Sequence, residues 1–179
     1  IVNVEEMSEA RILSVEELLK LDLVIPSYQR PYKWTEKNIR ELILDIQKGI
    51  EDAKKYPNFK YRVGTVILYQ ENDTKPYEIV DGQQRILSFL LLKLCLNPDF
   101  TCSLLSATFS DKVTLGNLHS NSDRIREWCS SVDDGIKEAF DRALSEVLEV
   151  VVLTVNELSE AFQLFDSQNT RGRELYPHD

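Results

Sequence analysis

The sequence predicts an α+β domain in which a small mixed sheet is surrounded by helices, one of them buried. Three observations predict it. Short runs rich in β-branched residues at 63–69, 77–80 and 149–155 read as strands. Longer stretches with apolar residues every three or four positions read as amphipathic helices. The segment 83–96 is apolar nearly all the way round, as in a helix enclosed by the rest of the domain.

In chain order, Ser14 followed by Glu17 has capping-box spacing and opens a short helix to about residue 21, ahead of an extended 23–25. Thr35 can cap a long helix that sets Ile39, Leu42, Ile43, Ile46 and Ile50 on one face and ends near Tyr56, before Pro57. Strands at 63–69 and 77–80, joined by the turn at 72–76, form a hairpin leading into Asp81 and Gly82. Asn97 and Pro98 stop the buried helix. Residues 102–109 read as a strand or as irregular chain. Helices are expected at 122–131 and 133–148, the second presenting Ile136, Phe140, Ala143, Leu144 and Val147. The run 149–155 is too short for a helix and reads as a buried strand. A last helix at 157–166 carries Leu158, Ala161, Phe162 and Phe165, and 169–172 reads as a polar turn.

With 179 residues the chain suits one domain, and no repeat or linker argues for dividing it. Residues 1–6 precede the only methionine, Met7, and read as an extension; the end at 175–179 has no terminator signal and reads as stopping ahead of a further region. The longest apolar run is far below the roughly 20 residues that cross a bilayer, and the acidic start lacks the pattern of a secretory signal, so a cytosolic protein is expected. Cys95, Cys102 and Cys129 lack metal-site spacing, and His119 and His178 are distant from them. Cys95 reads as a core residue.

The net charge of −9 opposes non-specific attraction to a nucleic-acid backbone. Arg30, Lys33, Lys37 and Arg40 gather closely enough for a local basic patch, or simply for a solvated helix face.

The strongest chemical signal is Ile79-Val80-Asp81-Gly82-Gln83-Gln84-Arg85, where a strand ends, a glycine permits a sharp turn and a helix starts. The first amides of a helix lack internal partners and sit at the positive end of its dipole, which suits phosphate. Arg85 can add a bidentate contact, Gln83 and Gln84 can orient a water, and Asp81 can hold Mg²⁺ or act as a base. The plainer alternative makes Asp81 a helix cap and Arg85 half of an ion pair.

A second segment, 25–34, concentrates Tyr28, Gln29, Arg30, Tyr32 and Trp34 around the stiffening residues Pro26 and Pro31. It suits a base and a phosphate, or a stiffened turn whose Tyr32 and Trp34 pack on the core. In the third, 165–172, Asn169 and Arg171 stand either in a site or in an ordinary helix end with Gly172 at positive φ. There is no G-x-x-x-x-G-K-[ST] or GxGxxG pattern.

Taken together, Ile-Pro-x-Tyr-Gln-Arg-x-Tyr-x-Trp at 25–34, Gly64 before a strand, Val-Asp-Gly-Gln-Gln-Arg at 80–85 and Phe-x-x-x-Asn-x-Arg-Gly-x-x-Leu at 165–175 resemble the N-terminal domain of GmrSD-type, modification-dependent restriction endonucleases. The likeness runs in order through most of the chain. It implies a ParB/sulfiredoxin-like fold whose Gly-x-x-Arg turn, here Gly82 to Arg85, binds a nucleoside triphosphate. It further implies Mg²⁺-dependent hydrolysis in defence against phage or other foreign DNA.

By the resemblance, Asp81, Gln83, Gln84 and Arg85 would serve phosphate binding and hydrolysis, with Asp81 also the metal ligand. Tyr28, Gln29, Arg30, Gly64 and Gly82 would share the pocket, and Asn169 and Arg171 would close it. Full-length relatives commonly continue into a nuclease domain of HNH type, whose histidines this chain lacks, so contact with DNA is expected through such a domain or a partner. Two other readings stand beside hydrolysis: a nucleotide sensor that gates a nuclease, and a DNA nuclease or DNA-binding ParB-like domain.

Overall fold

A computed structural model describes the backbone of residues 8–175 and the side chains of residues 9–169; the expected extension at 1–6 and the ending at 176–179 lie outside them. The fold is α+β. The described residues form five strands, β1 (Ser8–Ser14), β2 (Leu23–Val24), β3 (Tyr61–Tyr69), β4 (Tyr77–Asp81) and β5 (Leu148–Val155). The helices are α1 (Val15–Leu19), α2 (Glu36–Lys55), α3 (Gln83–Leu96), α4 (Lys112–Ser131), α5 (Asp134–Glu146) and α6 (Leu158–Leu175).

The sheet order is β1-β5-β3-β4-β2. The central strand β3 runs parallel to β5 and antiparallel to β4, the expected hairpin. At one edge β1 pairs antiparallel with β5 over seven residues; at the other, two residues of β2 run parallel to β4.

The two sheet faces are covered unequally. Val66, Leu68, Ile79, Leu148, Val150 and Val152 belong to a large core shared with α1 to α5. On the opposite face Ile67, Val80 and Val155 form a small cluster with Ala161 of α6. The α3 helix is buried as its composition requires, from Ile86 and Leu87 through Phe89, Leu90 and Leu92. The α2 stripe also packs as expected, with Ile39, Leu42, Ile43 and Ile46 buried and Ile50 partly so.

Both halves of the capping box at α1 form, Ser14 N–H to Glu17 Oε1 and Glu17 N–H to Ser14 Oγ, each 3.0 Å. The Thr35 N–H donates to Asn38 Oδ1 at 2.9 Å at the start of α2.

Four expectations are corrected. Strand β1, absent from the sequence reading, exists because β5 offers it a full hydrogen-bonding edge. Residues 102–109 form no strand; Ser103–Ser106 is a 3-10 turn. Helix α4 begins ten residues before the expected position, capped by Asp111, whose Oδ2 accepts from Thr114 N–H at 2.8 Å. Helix α6 continues through the residues read as a polar turn, so Asn169, Arg171 and Gly172 are helical. No helix among the described residues is long and apolar enough to cross a membrane.

Candidate functional site

The site begins at the β4–α3 corner. Gly82 stands at the N-cap of α3 with φ 108°, a conformation that L side chains rarely adopt, and no side chain caps the helix. A Cβ on Gly82 would lie 2.5 Å from Val66 Cγ1, so the corner also needs glycine for space. Two register irregularities flank it, one in β3 between Arg62 and Gly64 against β5, the other between β3 and β4 just before Asp81. Such bulges re-aim the chain beside functional sites. Gly64, at φ 147°, lies under the Arg85 guanidinium: a Cβ there would come within 2.0 Å of Nη1. Arg85 therefore crosses the β3 bulge.

Asp81 is half-buried, and that burial raises its pKa; the Gly82 N–H and the nearby positive charges of Arg85 and Arg30 pull in the other direction. The corner thus holds a poorly hydrated carboxylate within the electrostatic reach of two guanidiniums and beside an uncapped helix start.

The 25–34 loop is fixed to this corner by its own Gln29 and by side chains from two helices. Gln29 Nε2 donates to the carbonyls of Ile79 and Val80 in β4, the latter at 2.8 Å. From α3, Gln83 Nε2 donates to Arg30 O at 3.2 Å. Gln84 Nε2 donates to Pro31 O at 3.0 Å, and its Oε1 accepts from the N–H groups of Lys33 and Trp34 at 2.7 and 3.2 Å. Both glutamines thus turn their carboxamides to the loop backbone.

From α4, Thr114 Oγ1 accepts from Tyr32 N–H, Asn117 Nδ2 donates to Tyr32 O, and Asn121 Nδ2 donates to Trp34 O and to the Tyr32 hydroxyl. Tyr32 is fully buried, its hydroxyl 2.6 Å from Ser88 Oγ. Because Ser88 already gives its proton to Gln84 O, the phenol must donate to Ser88 and accept from Asn121.

Tyr28 and Arg30 face the other way, onto α6. The Tyr28 ring meets Phe162 edge-on with centroids 5.5 Å apart, and the Arg30 guanidinium lies 5.5 Å from the centre of the Phe165 ring. Burial, aided by Glu78 and Tyr69, pushes the Tyr28 phenol up to about 12.

The structure therefore joins the first two polar segments directly. The third approaches through Phe162 and Phe165, with Asn169 one helical turn beyond Phe165. The Arg171 side chain lies outside those described. Sequence reasoning missed Thr114, Asn117 and Asn121. Their signal was present, since polar residues spaced three and four apart mark one helix face.

Fold and corner define a class, a small α+β domain that presents an uncapped helix start beside two arginines. The family follows from the sequence comparison: residues 12–179 match GmrSD restriction endonuclease, N-terminal domain, and the chain belongs to that family. That membership places it in a restriction system, and so in defence against phage. No curated protein matches the sequence.

Proposed function

We propose that this domain binds a nucleoside triphosphate at the Gly82 corner and hydrolyses it with Mg²⁺. One observation carries the reading: the uncapped first turn of α3 opens beside Asp81, with Arg85 and Arg30 both close enough to act on that carboxylate. A chain of net charge −9 repels polyanions in general, so a local pair of guanidiniums is what a triphosphate requires. The amides of α3 and the Arg85 guanidinium would hold phosphate oxygens, and Arg30 would supply the second positive charge.

The donor set fits a magnesium ion: Mg²⁺ commonly takes one or two protein carboxylates and completes its shell with phosphate and water, and the half-buried Asp81 carboxylate lacks full solvation. Asp81 would be that ligand, and the ion would neutralise charge on the phosphate oxygens. Gln83 and Gln84, read from the sequence as water-orienting groups, serve in this proposal by fixing the loop that carries Arg30. A helix starting on a Gly-x-x-Arg turn beside a small mixed sheet also supports kinship with the ParB and sulfiredoxin fold.

Phosphate release from purified protein, with Mg²⁺ and each common nucleoside triphosphate, tests the reading. Arg85→Ala should abolish release while leaving the thermal midpoint nearly unchanged; unchanged release would overturn the assignment. Nucleotide-dependent thermal shift without release would replace hydrolysis by a sensor function.

A further inference from the structure

We propose that the cleft between the 23–31 loop and the 103–114 segment holds the nucleoside end of the bound nucleotide, an inference that rests on the nucleotide reading above. The cleft has a volume of about 520 Å³, and Ile25, Pro26, Arg30, Gln83, Phe109 and Thr114 are among its walls. Small-molecule sites commonly span about 300–1,000 Å³. Two residues connect the cleft to the phosphate corner. Arg30 lines it while acting on Asp81, and Gln83, which lines it too, is the first residue of α3. A ligand with its phosphates on the α3 amides thus has the cleft one residue away.

The Gln83 side chain supplies the chemical requirement. It is only 5% exposed, and its Nε2 is committed to the Arg30 carbonyl. Its Oε1 is closed off from solvent and has no hydrogen-bond donor. A buried acceptor without a donor is costly, and a turn of this wall side chain into the cleft would let a ligand N–H recover that cost. Nucleobases present N–H groups on a flat edge. Pro26, Pro31 and Phe109 offer apolar surface to such a ring, and the hydroxyls of Ser106 and Ser110 suit a ribose.

The cavity on the Arg85 side of α3 fits less well. At about 200 Å³ it is smaller than the sites that commonly enclose a small molecule.

Calorimetric titration of the protein, in Mg²⁺, with ATP, GTP, CTP and UTP and separately with inorganic triphosphate tests the assignment. Thr108→Trp narrows the cleft from an exposed position on its wall, and Gln83→Leu removes the acceptor. Each variant should weaken the preferred nucleoside triphosphate at least about tenfold; Thr108→Trp should leave inorganic triphosphate unchanged, whereas Gln83→Leu, which also frees the Arg30 carbonyl, should weaken nucleotide more than inorganic triphosphate. If both variants bind nucleotide like the unaltered protein, or if that protein binds inorganic triphosphate as tightly as any nucleotide, the cleft assignment falls and the phosphate corner stands. Failure of the unaltered protein to bind either ligand overturns the nucleotide reading and this inference together. Thr108→Trp keeps the test decisive should Gln83→Leu fold poorly.

Discussion

At the scale of single residues, the corner trades stability for chemistry. Asp81 has a pKa raised first by burial, so the folded protein binds its proton more tightly than the unfolded chain does. The sign follows: Asp81 favours folding most at acidic pH, and that contribution is lost as pH rises from the ordinary carboxylate value through the raised one. Asp81→Asn should therefore raise the thermal midpoint more at pH 7 than at pH 4, while abolishing phosphate release. A midpoint lowered equally at both values would show the carboxylate to be a structural cap instead. Gly82→Ala meets both an unfavourable φ and the buried Val66, only 2.5 Å away. Denaturant melts should show a loss of roughly 3 kcal/mol. At Gly64 the obstructing atom is the tip of Arg85, so alanine there should disturb function more than folding.

At the scale of elements, α1, α3 and α5 are joined by one buried cation. Lys93 is 2% exposed; its Nζ meets Asp141 Oδ1 at 2.6 Å and also pairs with Glu16, with Phe100 beneath it. Burial works against its charge, but the two carboxylates outweigh that, and its pKa rises. The stabilisation is present below the ordinary value of 10.5 and is lost as pH climbs beyond it. Lys93→Met should change stability by no more than about 1 kcal/mol and flatten that alkaline loss. The double change Glu16→Gln with Asp141→Asn strands the cation and should cost about 3 kcal/mol. Equal losses in both proteins would remove the distinction.

Elements defined by their own apolar pattern were legible in sequence: the α2 stripe, the enclosed α3, the β3–β4 hairpin and β5 all lie where the residues put them. Elements defined by a partner were not. Ser8–Ser14 mixes Glu9 and Arg11 with Ala10 and Ile12, and only the edge of β5 makes it a strand. The first half of α4 holds Thr114, Gly116 and Asn117, weak helix formers whose use, holding the Tyr32 loop, appears only in three dimensions. The Asp81–Arg85 corner was readable because a strand end, a glycine and an apolar helix adjoin in sequence. That its two glutamines face the loop was not, because their acceptors and donors lie some fifty positions away.

At the scale of the whole molecule, the uneven covering of the sheet divides the 25–34 loop into two halves held by different layers. Tyr32 to Trp34 are bound by α3 and α4, which belong to the large core. The side chains of Tyr28 and Arg30 rest on α6, which shares only the small cluster on the opposite face, while the backbone of this half is tied by Gln29 to β4 and by Gln83 to α3. Local opening should therefore begin on the α6 side, where less apolar surface is enclosed. Replacing Phe162 and Phe165 by alanine should lower global stability by only about 1–2 kcal/mol, since Phe162 is already 40% exposed. Amide exchange should accelerate in the Tyr28–Arg30 half of the loop and stay slow at Tyr32 and Trp34. The Tyr28 phenol, held up at about 12 mainly by burial, should titrate closer to its ordinary value of 10 once the edge of Phe162 is gone. If NMR titration finds that phenol unmoved, or if exchange quickens uniformly along the loop, the two halves are one cooperative unit and α6 does not control Arg30.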